Sequence, residues 1–183
     1  MAYRNGTYIA FHADGTNIPG QSDIDYYNLL KAWAAKTDDD FSMINSHDKT
    51  SAVRDSSKRS TLRASLQERL RNSKNMLLII GKTTRFDTDW VPFEIEQAVD
   101  VYGLPIIAVY PDAGCILAPM ELSPLWPNAL AVRINKYKTA NVIHIPFKKL
   151  PIANAIEQFD LNNKPDGGLV YYTRETYQKW NLI

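Results

Sequence analysis

Short apolar runs rich in β-branched and aromatic side chains punctuate the chain at residues 7–12, 41–45, 76–80, 105–110 and 141–145. Between them the apolar positions change period. Tyr26, Leu29, Leu30 and Trp33 fall at i, i+3, i+4 and i+7, with Ser22 placed to cap the helix they predict. Leu62, Leu66 and Leu70 mark a second helix. Val91, Ile95, Ala98, Val99 and Tyr102 mark a third, which Gly103 would stop, and Ile152, Ile156 and Phe159 mark a fourth. Continuous apolar strands are covered on both faces, and strands separated by helices pair in parallel. The pattern predicts an α/β fold, a doubly wound parallel sheet of five strands between two helical layers.

Residues 117–127 contain three prolines and read as an irregular surface connection. The run Asn162-Asn163-Lys164-Pro165-Asp166-Gly167-Gly168 is the clearest turn signal. Beyond it lie Tyr171, Tyr172, Tyr177 and Trp180, with Thr173 as an N-cap. The expected organisation is one domain over residues 1–160 and a C-terminal aromatic extension over 161–183 that packs back on it.

Composition changes this picture little but excludes several partners. With 183 residues, 45% of them apolar, the chain can bury a real core. A net charge of +1 supplies no field to recruit nucleic acid or an anionic membrane, so neither is expected as a partner. No apolar run approaches the length of a bilayer span, and the first residues carry no secretory h-region. The single Cys115 rules out an internal disulfide and suits the reducing cytoplasm; it reads as a buried, inert thiol.

In a doubly wound sheet, ligands sit outside the carboxyl ends of the strands. That rule selects Phe11, His12 and Asp14 after the first apolar run, Asn45 and His47 after the second, and Lys82 and Trp90 after the third. Gly81-Lys82-Thr83 is no P-loop, because Met76 stands where the motif needs its first glycine. His12, His47 and His144 lack metal-ligand spacing, so no metal is expected. Between Arg54 and Lys74 seven basic side chains face two acidic ones. This is a solvated helix face for most of them, or a patch for a phosphate-bearing ligand. The sharpest local signal is the run from Asp87 to Ala98. Asp87 and Thr88 offer capping oxygens, and Pro92 is tolerated only in a first turn, so a helix begins near Trp90. Trp90 and Glu94 then share one face beside the Val91/Ile95/Ala98 stripe, whereas Glu96 points to solvent. A carboxylate this close to a helix N-terminus is expected to stay ionised.

Taken together, an apolar strand, a polar loop, Trp90-Val91-x-x-Glu94-Ile95, a helix ending at Gly103 and Pro105-Ile106-Ile107-Ala108-Val109 resemble the TIR superfamily. The likeness is closest to bacterial TIR-like proteins such as the TIR component of Thoeris anti-phage systems. It spans roughly positions 7 to 160, and Ser73 to Asp112 carry its specific part. The resemblance implies a flavodoxin-like fold and an NAD-cleaving enzyme, a glycohydrolase or ADP-ribosyl cyclase, with NAD as substrate and no cofactor. It implies Glu94 as the catalytic carboxylate and Phe11 as part of the nucleotide frame. Ala10 stands where many members carry Ser, and the loop from Asn45 to Lys49 lacks the pattern of receptor TIR domains. Both departures count more against an adaptor role than against an enzyme.

Cleaving the nicotinamide–ribose bond leaves positive charge on the sugar, and the leaving group needs no proton. One carboxylate that orients the ribose and faces the cation can suffice. Phe11 and Trp90 are expected to stack on the substrate's rings. With the chain spent on one domain, the output is expected to be a small nucleotide, cyclised or conjugated, read by a downstream effector. Self-association is expected as well. The rival reading is a non-enzymatic TIR-like interaction module. A phosphoacceptor domain lacks an acid at Ile80-Gly81-Lys82, and a nucleoside-processing enzyme of another class stands further off.

Overall fold

The computed structural model of the chain describes residues 4–13, 22–35 and 59–183. Strand β1 (Gly6–Ala10) is followed by helix α1 (Ile24–Ala34). Helix α2 (Arg59–Arg71) leads into β2 (Ser73–Ile79), then a 3-10 turn (Thr84–Phe86) and α3 (Trp90–Glu96). Next come β3 (Ile106–Tyr110), a 3-10 segment (Pro119–Leu125), α4 (Asn128–Asn135), β4 (Val142–Pro146), α5 (Lys149–Gln158), β5 (Val170–Tyr171) and α6 (Arg174–Lys179). The five strands form one parallel sheet in the order β1-β2-β3-β4-β5. This is the flavodoxin-like α/β architecture.

The period of two explains the layers. Tyr8, Ala10, Met76, Leu78, Ile106, Ala108 and Val142 point to one face and pack with Leu66, Leu70, Val91, Ile95 and Leu130 from α2, α3 and α4. Ile9, Leu77, Ile79, Ile107, Val109, Ile143 and Ile145 point to the other and pack with Leu30, Ile152, Ile156 and Tyr177 from α1, α5 and α6. Every residue of β3 and β4 is buried, which is why these strands read as unbroken apolar runs.

Two elements depart from the sequence expectation. The fifth strand among the described residues is Val170–Tyr171, beyond the proline-glycine turn, while the run at 41–45 lies outside the described residues. This short edge strand brings residues of the C-terminal segment into the sheet, and Tyr177 and Tyr172 are buried in the core it shares with α5. The proline-rich stretch, expected to be irregular, forms 3-10 turns and leads into α4, whose Ala129, Leu130 and Ile134 are buried. Cys115 is only half-buried, at the edge of the second cluster.

The region after β2 sets up the site. Asp87 Oδ1 accepts the backbone N–H groups of Asp89 at 2.8 Å and Trp90 at 3.0 Å, so its side chain caps α3. The helix widens into a π-turn over Gln97–Val101, with Tyr102 N–H donating to the Gln97 carbonyl at 3.1 Å. Gly103, at φ +62°, then supplies the left-handed stop. No helix among the described residues is long and apolar enough to cross a membrane.

Candidate active site

Glu94 lies one turn below Trp90 on the face of α3 turned towards the sheet, and it is 5% exposed. Its neighbours on α3, Val91 and Ile95, are fully buried, so the helix presents this carboxyl inward with its core stripe. The partner that receives it comes from the first strand. Tyr8, fully buried on β1, donates its phenolic hydrogen to Glu94 Oε1 at 2.5 Å. A sequence reading could not have found Tyr8, because it sits 86 residues upstream and reads as one more core aromatic.

Burial reverses the expected charge state. Loss of water is the largest influence on Glu94, and the nearby Asp87 carboxylate adds to it. The Tyr8 hydrogen bond opposes both, and the carboxyl is still pushed up to about 8. The first-turn effect that would keep it ionised is smaller than the desolvation it meets inside the fold. The same contact raises the Tyr8 phenol, by burial first and by the Glu94 charge second.

Above Glu94 a basic and aromatic wall joins α2 to α3. The Arg59 guanidinium lies 5.4 Å from the Trp90 ring centre and pairs with Asp89. One turn on, Arg63 lies 4.8 Å over the Phe93 ring. Arg69, further along α2, is buried close enough to Tyr8 to act on it electrostatically. Three of the basic residues read as a solvated face are thus engaged with aromatic groups, whereas Arg54 and Lys58 lie outside the described residues.

Among the described residues, the remaining strand-end candidates do not meet Glu94. Phe11 joins the other core face and stacks on Tyr27 at 4.8 Å, whereas Trp90 packs on the Glu94 face. The reason is register: Tyr8 and Ala10 face α3, which turns Ile9 and Phe11 towards α1. His12 is close enough to Asp23 to act on its charge, and its carbonyl accepts the Asp23 N–H at 3.1 Å. Exposed Lys82 pairs with Asp112 at 3.5 Å. Lys82, Asp112, Tyr26 and Asp23 line a cleft of about 220 Å³ at the carboxyl ends of β2 and β3, on the α1 side. Asp14, Asn45 and His47 lie outside the described residues.

Asp23 fixes that side of the site. Ser22, expected as the cap of α1, accepts the Ile24 N–H at 3.3 Å, while the Asp23 carboxylate turns to Thr84, whose hydroxyl donates to it at 2.7 Å. The same Thr84 oxygen accepts the Gly81 N–H at 2.8 Å. A Cβ built on Gly81 would fall 1.9 Å from Asp23 Oδ1, so any larger residue there would have to displace the Asp23 side chain from Thr84. Burial raises the Asp23 carboxyl, and the bond from Thr84 works against that. Among the described residues no three His, Cys, Asp or Glu side chains come together as metal ligands.

The sequence model of a family described as "Thoeris protein ThsB, TIR-like domain" matches residues 8–114. That match is more than half of the chain and includes most of β1 with α1, α2, β2, α3 and β3, hence Tyr8, Trp90 and Glu94 together.

Proposed function

The chain belongs to the Thoeris ThsB family of TIR-like domains, and from that premise we propose that it cleaves NAD in anti-phage defence, with Glu94 as the catalytic carboxylate. The observation that carries this reading is the placement of Glu94. It is an acid buried with the core stripe of α3 against Tyr8 of β1, and among the described residues the influences on its charge are burial, the Tyr8 hydrogen bond and the Asp87 carboxylate. Such a group is costly to keep, and costly ionisable groups gather where chemistry needs them.

The reaction needs few parts. The bond from ribose C1′ to the nicotinamide nitrogen breaks, its electron pair leaves with nicotinamide, and the ribose becomes an oxocarbenium ion. Glu94 as the anion faces that cation and holds a ribose hydroxyl. NAD brings a positive pyridinium ring to the carboxyl, and this charge favours the ionised form at a pH where the free protein keeps it protonated. Trp90 offers a stacking face above the sugar, and Arg59 beside it offers a guanidinium to the pyrophosphate. Water then adds to C1′ and releases a proton, giving ADP-ribose, or a second nucleophile adds and gives a cyclic or conjugated product.

The test is nicotinamide release from NAD by the purified protein and by Glu94→Gln. The reading expects release by the wild type and a loss of at least a hundredfold in the variant, with Glu96→Gln close to wild type. Equal rates in folded wild type and Glu94→Gln would remove Glu94 from the chemistry. No release under any condition would leave a TIR-like module that signals through protein contacts.

A further inference from the structure

Glu94 has a side chain with three rotatable bonds, yet its carboxyl meets a fixed partner. Tyr8 sits on β1 between α2 and α3, fully buried, and β1 pairs with β2 through Tyr8 and Met76. A phenol held in a strand core cannot follow a moving carboxylate, so the 2.5 Å bond sets where the carboxylate can be. We infer that Tyr8 is the positioning residue of the Glu94 site, its hydroxyl holding Oε1 so that Oε2 is presented to the ribose. This rests on the NAD-cleaving reading above and adds a second residue to it.

The groups around Glu94 act in opposite directions. From the loop before α3, Asp87 disfavours the anion. From β1, the Tyr8 hydrogen bond favours it. Arg69 on α2 acts on the phenol of Tyr8. Among these, Tyr8 alone both touches the carboxylate and stabilises its charge.

Two variants test the inference with opposite signs. Tyr8→Phe removes the donor with little change of shape. Fluorotyrosine incorporated at position 8 keeps the fold and makes the phenol a stronger donor. In each, the Glu94 side-chain carboxyl is followed by carbon-13 NMR, assigned by its loss in Glu94→Gln, and kcat/KM for NAD is measured against pH. Tyr8→Phe should raise the Glu94 titration midpoint by about one pH unit and lower kcat/KM at pH 7 about tenfold. The loss should shrink as pH rises, with little change in KM. Fluorotyrosine should lower the midpoint.

A purely structural Tyr8 would cut kcat by one factor at every pH and leave the midpoint in place, and that result overturns the inference. The two claims fail separately. A shifted midpoint in a protein that never releases nicotinamide sinks the enzymatic reading and keeps the coupling of Tyr8 to Glu94. An unmoved midpoint in an active enzyme does the reverse.

Discussion

The Glu94 carboxyl works against the fold that holds it. Its folded pKa lies near 8 against an ordinary 4.5, so the native protein keeps a proton that the unfolded chain has already lost. Between those values stability falls as pH rises, and the contribution present below about pH 4.5 is gone above about pH 8. The shift corresponds to a ceiling of about 5 kcal/mol, most of it the cost of desolvating a charge. Glu94→Gln keeps an acceptor for Tyr8 and has no proton to lose. Its melting temperature should therefore match the wild type near pH 5 and exceed it by several degrees near pH 8.5. A gap that stays constant with pH would show that Glu94 titrates in the ordinary range. The same group should govern catalysis, and kcat/KM should rise with pH towards a plateau governed by an apparent pKa near 8. The helical spacing of Trp90 and Glu94 already put this carboxyl beside the core stripe. Its proton state was not legible in sequence, because that depends on how much water the fold removes and on a phenol contributed by another strand.

At the scale of elements, buried polar contacts decide which neighbours stay together. Trp126 Nε1 donates to the Tyr110 hydroxyl at 2.8 Å, and the Tyr110 hydroxyl bonds His144 Nδ1 at 2.7 Å. His144 Nε2 meets the Gly168 carbonyl at 2.9 Å, which requires the proton on Nε2 and makes Tyr110 the donor to Nδ1. The chain thus ties the end of the 3-10 segment, β3, β4 and the turn before β5. Burial pushes the His144 imidazole down to about 4. The unfolded chain gains this proton first, so stability is full above about pH 6.5 and falls as pH drops towards 4, by about 3 kcal/mol. His144→Gln should flatten that acid limb in urea unfolding, and an unchanged acid limb would place the proton elsewhere. A second element contact is steric. Gly81→Ala would drive a methyl into Asp23 and separate α1 from the β2–α3 loop, and it should cost about 2 kcal/mol or more in chemical denaturation. Wild-type stability for that variant would mean that the Asp23 side chain moves aside freely. The strands β2, β3 and β4 were legible because both of their faces are apolar. Helix α4 was not, since the prolines before it mask its start, and β5 was not, since two half-exposed residues carry no period.

For the whole molecule, the proposed cleavage raises the question of what reaches the cation once nicotinamide has left. Phe11 packs on the opposite core face against Tyr27, so among the described residues the dryness of the site comes from β1 and the α3 side. It does so by depth: Tyr8 is fully buried, Glu94 is 5% exposed, and Trp90 packs over the same cluster. A cation formed there meets little water and lives longer, and a group already bound beside it gains by proximity. The adenine of the same NAD, or a second bound molecule, would then outcompete water. A wall completed by another copy of the chain would strengthen this. Exposed Phe86 and Val101, 61% and 59% exposed, give the region of α3 apolar surface for such a contact. Specific activity should then rise with protein concentration as light scattering reports assembly, and flat activity from a monomer would exclude a shared site. The product follows the same logic. Mass spectrometry of a complete reaction should find a cyclised or conjugated ADP-ribose exceeding free ADP-ribose, and Trp90→Ala should shift the balance towards ADP-ribose by admitting water. If wild type and Trp90→Ala both yield nicotinamide and ADP-ribose alone, the pocket does not select its nucleophile, and the protein acts by consuming NAD instead of by sending a nucleotide signal.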